Sequence, residues 1–320
     1  MALLLASCFP EDEMVQPHEP GELQVGSVAI GPDYQMQSFY DLNRNIEVSK
    51  NTNIDWDLGF ESASDGYRII LNSSRFMYAG NTGMTAFEQV DSKDGVEMFF
   101  DHSSGHPDST AIGAWYVETE DTLYSKGHVY IIDLGMDELS QSMGFKKALF
   151  DFQDDAYVIR YADLDGSNEG SLTIDRDARK NFVCMSFKNG IVDIEPDRES
   201  WTMKVSRYTT MLQTNIGEDY PYIVFGVLLN PYKVVATLDT VHNFSDIVLS
   251  DTADITFSQN LDAIGYEWKY YNFDDGVYTV VPEFSYIIRD RDGYYYKLRF
   301  VDFYNDTGDK GHPEFEFLAL

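Results

Sequence analysis

Hydrophobic and polar residues alternate with a period of two along most of this chain, the spacing that sends successive side chains to opposite faces of a strand. Tyr294, Tyr296, Leu298 and Phe300 alternate in this way with Tyr295, Lys297 and Arg299, while helix-like spacing is scarce. The runs are separated by turn pairs, Asp65-Gly66, Asp94-Gly95, Asp165-Gly166, Asn189-Gly190, Asp275-Gly276 and Asp292-Gly293, whose glycines tolerate the positive φ of tight hairpins. The pattern predicts a mostly β protein of antiparallel strands with little helix.

The blocks recur in one order. Ser38-Phe39, Ile46-Glu47-Val48, Trp56-Asp57-Leu58-Gly59-Phe60 and Tyr67-Arg68 through Asn72 are answered by Met185-Ser186-Phe187, Val192-Asp193-Ile194, Trp201-Thr202-Met203-Lys204-Val205 and Arg207-Tyr208 through Thr214-Asn215. Ala111-Ile112-Gly113-Ala114-Trp115 is answered by Ala263-Ile264-Gly265-Tyr266-Glu267-Trp268, and Tyr130-Ile131-Ile132-Asp133 by Tyr286-Ile287-Ile288-Arg289. Phe145-Lys146 with Asp151-Phe152 lines up with Tyr296-Lys297 and Asp302-Phe303. Repeats decide architecture before single strands do, so two tandem β-rich domains are expected, at 28–177 and 178–320, with the boundary in the charged stretch around Asp175 to Asn181.

The N-terminus reads as an address. Leu3-Leu4-Leu5-Ala6-Ser7-Cys8 has the form of a lipobox, so residues 1–8 are expected to be a lipoprotein signal remnant with Cys8 the acylated residue. Two or more acyl chains anchor a protein stably without a spanning helix. Residues 9–27 are acidic and proline-bearing and read as a solvated linker. With Cys8 acylated only Cys184 remains, a small buried hydrophobe by its strand-like setting.

The formal charge of −31 excludes nucleic acid and anionic lipid surfaces as long-range partners. The 22 Tyr and 21 Phe reinforce the β reading. Asp163-Leu164-Asp165-Gly166-Ser167-Asn168-Glu169-Gly170 has its glycine at the wrong offset for an EF-hand and suits a hairpin turn. There is no Gly-x-Ser-x-Gly elbow, phosphate loop or His-Glu-x-x-His motif, and a binding protein rather than an enzyme is expected.

The second half resembles the HmuY family. Its Val192-Asp193-Ile194, the Trp201 strand ending in Arg207-Tyr208, and above all Tyr286 through Gly293 followed by Tyr296-Lys297-Leu298-Arg299-Phe300-Val301-Asp302-Phe303-Tyr304 carry the likeness, which extends more loosely over 30–175. The resemblance implies a surface-exposed lipoprotein of the outer membrane that binds haem or another small hydrophobic ligand for iron acquisition and passes it to an outer-membrane receptor. Membrane contact would run only through the lipid anchor.

In the family the iron is held by paired His or by Met, chemistry suited to closing both axial positions. The stretch that should carry one ligand, Trp268-Lys269-Tyr270-Tyr271-Asn272-Phe273, has neither, and Trp115 to Glu120 has none. The candidates that remain for haem are His242, Met203 and Met211, with Arg207 or Arg299 as a local basic contact. His102 and His106, flanked by Asp101 and Asp108, form a candidate metal loop. His18 falls in the linker, His128 heads a strand and His312 is expected in a turn. The alternative function is an adhesion or scaffold lipoprotein that keeps the fold and contacts a protein or glycan through its Tyr-rich surface.

Overall fold

Alternation becomes antiparallel pairing throughout the computed structural model, which describes residues 21–62, 66–119 and 123–320. The first half contains β1 (Gln24–Ser27), β2 (Met36–Asp41), β3 (Ile46–Thr52), β4 (Leu58–Glu61), β5 (Ile69–Leu71) and β6 (Tyr78–Asn81). It continues with β7 (Tyr116–Glu118), β8 (Leu123–Ser125), β9 (Val129–Asp133), β10 (Phe145–Gln153) and β11 (Ala156–Asp163). The second half contains β12 (Gly170–Asp175), β13 (Phe182–Ser186), β14 (Gly190–Val192), β15 (Met203–Gln213), β16 (Asp219–Leu229) and β17 (Val235–Asp239). It ends with β18 (Lys269–Asn272), β19 (Val277–Val280), β20 (Ser285–Arg289), β21 (Tyr295–Tyr304) and β22 (Lys310–Ala319). The described helical elements are short 3-10 turns such as Ser73–Arg75. None of the described helices is long and apolar enough to cross a membrane.

Two five-stranded sheets run β1-β22-β21-β20-β17 and β12-β11-β10-β9-β6, and two four-stranded sheets run β14-β13-β4-β5 and β3-β2-β15-β16. Shifting every strand by eleven places along the chain turns each sheet into its counterpart. The halves therefore share a topology and exchange strands: the β2–β3 hairpin lies on β15, the β13–β14 hairpin on β4, β1 on β22 and β12 on β11. All four of these sheets take strands from both halves, the strand order begins again at β12, and the expected boundary at 177/178 falls after that strand.

Hydrogen bonds repeat with the strands. Asp57 N–H donates to Met185 O at 2.7 Å and Thr202 N–H to Tyr40 O at 2.7 Å. The side chains of the same two residues then accept from the opposite half, Asp57 Oδ2 from Phe187 N–H at 2.7 Å and Thr202 Oγ1 from Leu42 N–H at 3.3 Å. Trp56 and Trp201 each stand one residue before these positions and are buried between the four-stranded sheets, Trp201 edge-on to Phe39 and Trp56 against Cys184. Burial pushes the Cys184 thiol up, as expected of an inert core sulfur.

Each half shares its core with the other. Val28, Ile30, Tyr40 and Leu42 pack with residues of β15, β16 and β20–β22 around Trp268, while Met185 joins Leu58, Phe60, Tyr130 and Phe150 around Trp115. Trp115 and Trp268 are fully buried and follow Gly113 and Gly265, which hold φ of 60° and 67° as the chain turns inward. Burying a large apolar side chain contributes roughly 1.5–3 kcal/mol, so each core would lose several such contributions without its borrowed strands.

The register corrects one expected correspondence. Ile131 faces Lys147 and Ile287 faces Lys297, so the partner of Lys297 is Lys147, one residue beyond the Lys146 read from sequence. Both lysines are buried, donate to a backbone carbonyl (Val90 O at 2.8 Å, Ile247 O at 2.9 Å) and lie 5.0 Å from a phenyl centroid, Phe87 or Phe244. The end of the expected linker is also corrected, because residues 24–27 form β1. Gly26 permits this close approach, since a Cβ there would sit 2.5 Å from the Phe315 ring. Residues 1–20, including Cys8 and His18, lie outside the described residues.

Candidate functional site

The two halves differ most where a hairpin is lengthened. β4 and β5 pair over three residues, whereas their counterparts β15 and β16 pair over eleven, from Met203↔Leu229 to Gln213↔Asp219. The β15–β16 hairpin thus runs past its sheet. Facing it stands the β18–β19 hairpin, turned at Gly276 with φ 71° and anchored by the fully buried Trp268. Close contact at Gly226 fixes the two against each other, because Val227 and Gly265 exchange backbone hydrogen bonds and a Cβ on Gly226 would lie 2.3 Å from Gly265 O.

Between the hairpins lies a cleft of about 770 Å³. Tyr222, Ile223, Val224 and Phe225 form one wall, Tyr270, Tyr271 and Tyr278 the other, and Tyr34, Tyr266, Leu212 and Phe284 complete the lining with Glu267. Three cations reach it, Arg207, Lys269 and Lys310. Tyr34 stacks on Phe225 with centroids 4.8 Å apart, and Tyr271 meets Tyr278 edge-on at 5.2 Å.

Lys269 sits at the inner end. Its Nζ donates to Phe225 O at 2.7 Å and lies 4.2 Å from the Trp268 ring centroid, 4.9 Å from Phe303 and 5.1 Å from Phe225. Burial lowers its amine to about 7, so near neutrality it is divided between ammonium and amine. Arg207 Nε is buried and meets no hydrogen-bond acceptor among the described residues, and burial lowers the guanidinium's pKa. Burial also raises the phenols of Tyr34, Tyr266 and Tyr278, which therefore stay protonated.

The structure brings His242 and Arg299 into one cleft and disperses the other residues singled out from sequence. Arg207 lines the cleft; Met203 is fully buried in the core opposite Tyr40 and Leu229, and Met211 is exposed on β15 opposite Pro221, away from the lining. His242 lies in a separate cleft of about 620 Å³ with Phe244, Lys297 and Arg299. Its Nδ1 is 2.8 Å from Asp239 Oδ2, a hydrogen bond that raises its pKa. His102 and His106 are exposed at either side of a turn that packs inward through Ser103, and His102 Nδ1 meets Ser104 Oγ at 3.0 Å. Asp101 turns away from them to accept from Leu71 N–H at 2.6 Å and Ala111 N–H at 2.8 Å. Among the described residues, no three His, Cys, Asp or Glu side chains gather to hold a metal.

His128 lies 3.1 Å from Asn81 Nδ2, and His312 is in β22 rather than in a turn. The 163–170 segment is a hairpin turn in which Asp163 accepts from Ser167 and Asn168. Sequence reading missed the tyrosines of the cleft. For Tyr222 the signal was the second half's long alternating run from Met203 to Leu229, longer than the paired β4–β5 run it answers; Tyr34, Tyr266, Tyr270, Tyr271 and Tyr278 lie outside it.

Among solved structures, Apo PinO from Porphyromonas gingivitis is 9% identical, with 93% of this chain and 98% of that one covered at a TM-score of 0.26. The Apo HmuY analog of Tannerella forsythia is 10% identical over 94% and 98% at 0.25. A Bacteroides vulgatus protein described as HmuY-like and heme binding is 12% identical over 92% and 90% at 0.23. Likenesses this loose place no residue, and no curated protein matches the chain. The family comparison is direct: the HmuY protein family matches residues 33–317, so the chain belongs to the HmuY family.

Proposed function

We propose that this protein is a surface-exposed lipoprotein that binds haem or a related tetrapyrrole in the cleft between the β15–β16 and β18–β19 hairpins and carries it for uptake. The observation that carries the reading is the cleft itself. Its volume of about 770 Å³ lies within the roughly 300–1,000 Å³ of small-molecule sites. Aromatic walls suit a flat macrocycle, and Arg207 and Lys310 suit its carboxylates. Family membership supports the same reading, as does the description of the Bacteroides vulgatus protein. Cys8 would supply the anchor, and delivery to an outer-membrane receptor would follow from surface exposure.

Titrating the purified chain with haemin tests this: a saturable shift of the Soret band is expected, weakened by Tyr270→Asp with Lys310→Glu. A spectrum equal to the sum of free haemin and protein at micromolar concentrations would remove the reading. One observation favours adhesion to a protein or glycan instead: Phe273, at the β18–β19 tip, is 88% exposed, with Tyr222 and Tyr270 exposed nearby on the same hairpins.

A further inference from the structure

We infer that the cleft recognises the tetrapyrrole ring and its carboxylates without ligating a central metal, so that metal-free porphyrin binds as well as its iron complex. This rests on the reading of the cleft given above. Porphyrin fits the site, and axial coordination does not. Among the described residues lining the cleft there is no His, Met or Cys. Met203 is sealed in the core, while His242 lies in another cleft.

Of the remaining donors, Tyr34, Tyr266 and Tyr278 are kept as neutral phenols by burial, whereas ferric iron takes a tyrosine as phenolate. Tyr222, Tyr270 and Tyr271 are exposed wall residues, and coordination by any of them would show as a phenolate charge-transfer band in bound haemin. Among the described residues the lining holds no histidine to accept a phenolic proton and a single carboxylate, Glu267. The Lys269 amine is committed to Phe225 O and boxed by aromatic rings. What the cleft offers is stacking surface, which every porphyrin face can use, and positive charge for carboxylates that are the same with or without a metal. Arg207, with a buried Nε lacking an acceptor among the described residues, and Lys310 at the mouth supply that charge.

The test titrates the full chain in parallel with protoporphyrin IX, its zinc complex and haemin, following quenching of aromatic emission and the ligand's absorption. Dissociation constants within about threefold of one another are expected, with no low-spin or phenolate charge-transfer bands in bound haemin. Tyr270→Asp with Lys310→Glu, both at exposed positions, should weaken all three by a similar factor. Haemin binding tenfold or more tighter than protoporphyrin, with a ligated-iron spectrum, would overturn the inference while leaving the cleft as the haem site. Binding of none of the three would remove the functional reading and this inference with it.

Discussion

Asn72 and Asn230 hold the two halves in the same way: each donates its side-chain amide to the carbonyl of a tryptophan, Trp56 or Trp201, at 2.8 Å, and its backbone N–H to the following residue, Asp57 or Thr202, at 3.0 Å. Each amide also reaches a second carbonyl, Asn53 O at 2.6 Å or Arg198 O at 2.7 Å. Both asparagines are fully buried. Losing these bonds leaves three of the four carbonyls with only a longer bond, Trp56 O from Arg75 at 3.2 Å, Asn53 O from Ser74 at 3.4 Å and Trp201 O from Arg291 at 3.3 Å. It also takes from Arg198 O its bond to Asn230, at about 1–3 kcal/mol for each group left short. Asn72→Ala and Asn230→Ala should therefore lower unfolding free energy by comparable amounts of ~2–4 kcal/mol. Urea titrations read this directly, and a neutral result at either site would show that the two are not equivalent.

Asp57 is the harsher position. Its carboxylate pairs with Arg75, which is 1% exposed, and accepts from Phe187 N–H. Asp57→Ala leaves a buried guanidinium without its anion and should cost ~3–5 kcal/mol. Thr202→Ala, at the matching place, removes a neutral hydroxyl that donates to buried Asp41 at 3.4 Å while Asp41 keeps its pairing with Arg44, and should cost about 1 kcal/mol. Equal losses in the two variants would contradict the role given to Arg75.

How far the sequence reveals this arrangement depends on the kind of interaction. Turn pairs such as Asp275-Gly276 and Asp292-Gly293, and landmarks such as Trp56 with Trp201 and Gly113 with Gly265, are legible because each is set by local backbone demands or by a bulky core residue. Register is not, since alternation looks the same after a slip and a hairpin of different length shifts everything downstream. Hence Lys297 was matched to Lys146 instead of Lys147, and Asn72 to Asn215 instead of Asn230. The exchange of strands was invisible because backbone ladders that join the halves carry no side-chain signature. The cleft was missed because alternating tyrosines read equally as strand surface.

Two buried groups shape stability against pH in opposite directions. Burial raises Glu195 to about 7, so the folded state holds its proton more tightly than the unfolded chain. Its contribution is fully present below pH ~4.5 and falls as pH rises toward 7. Burial lowers Lys269 to about 7, so the unfolded chain binds that proton more tightly and stability rises from pH 7 toward ~10.5. Each group contributes a slope of at most ~1.4 kcal/mol per pH unit. Glu195→Gln should reduce the acid limb alone, leaving the share of Asp101, which burial also raises to about 7, and Lys269→Met should reduce the alkaline limb alone, measured by unfolding across pH 4.5–10. An unchanged profile in either variant would dismiss that group's share.

The contact that sets the hairpins should tolerate no side chain. In Gly226→Ala, a methyl group would meet the Gly265 carbonyl, a backbone atom that cannot rotate away. Overpacking of this kind costs about 1–3 kcal/mol. The hairpins should also splay, weakening porphyrin binding more than tenfold at temperatures where the variant is still folded. Native-like affinity in a folded Gly226→Ala protein would show that the Val227–Gly265 bridge does not set the cleft.

Strand exchange makes the strongest demand on the chain. If residues 21–167 are produced without the rest, β4 loses the β13–β14 hairpin, β2 loses β15 and β11 loses β12, leaving edges unpaired and both cores half built. Residues 168–320 lose β1, β2 and β4 in the same way. Each fragment alone is expected to show little stable β structure by circular dichroism. Produced together, they should form a 1:1 complex, because every missing strand is supplied by the other fragment and exposed edges pair readily. A second outcome follows from the shared topology: at high concentration a lone half can borrow its missing strands from another copy of itself, giving a swapped dimer. A half that folds as a stable monomer would show that its borrowed strands are dispensable, and with them the reciprocal clamps at Asp57 and Thr202.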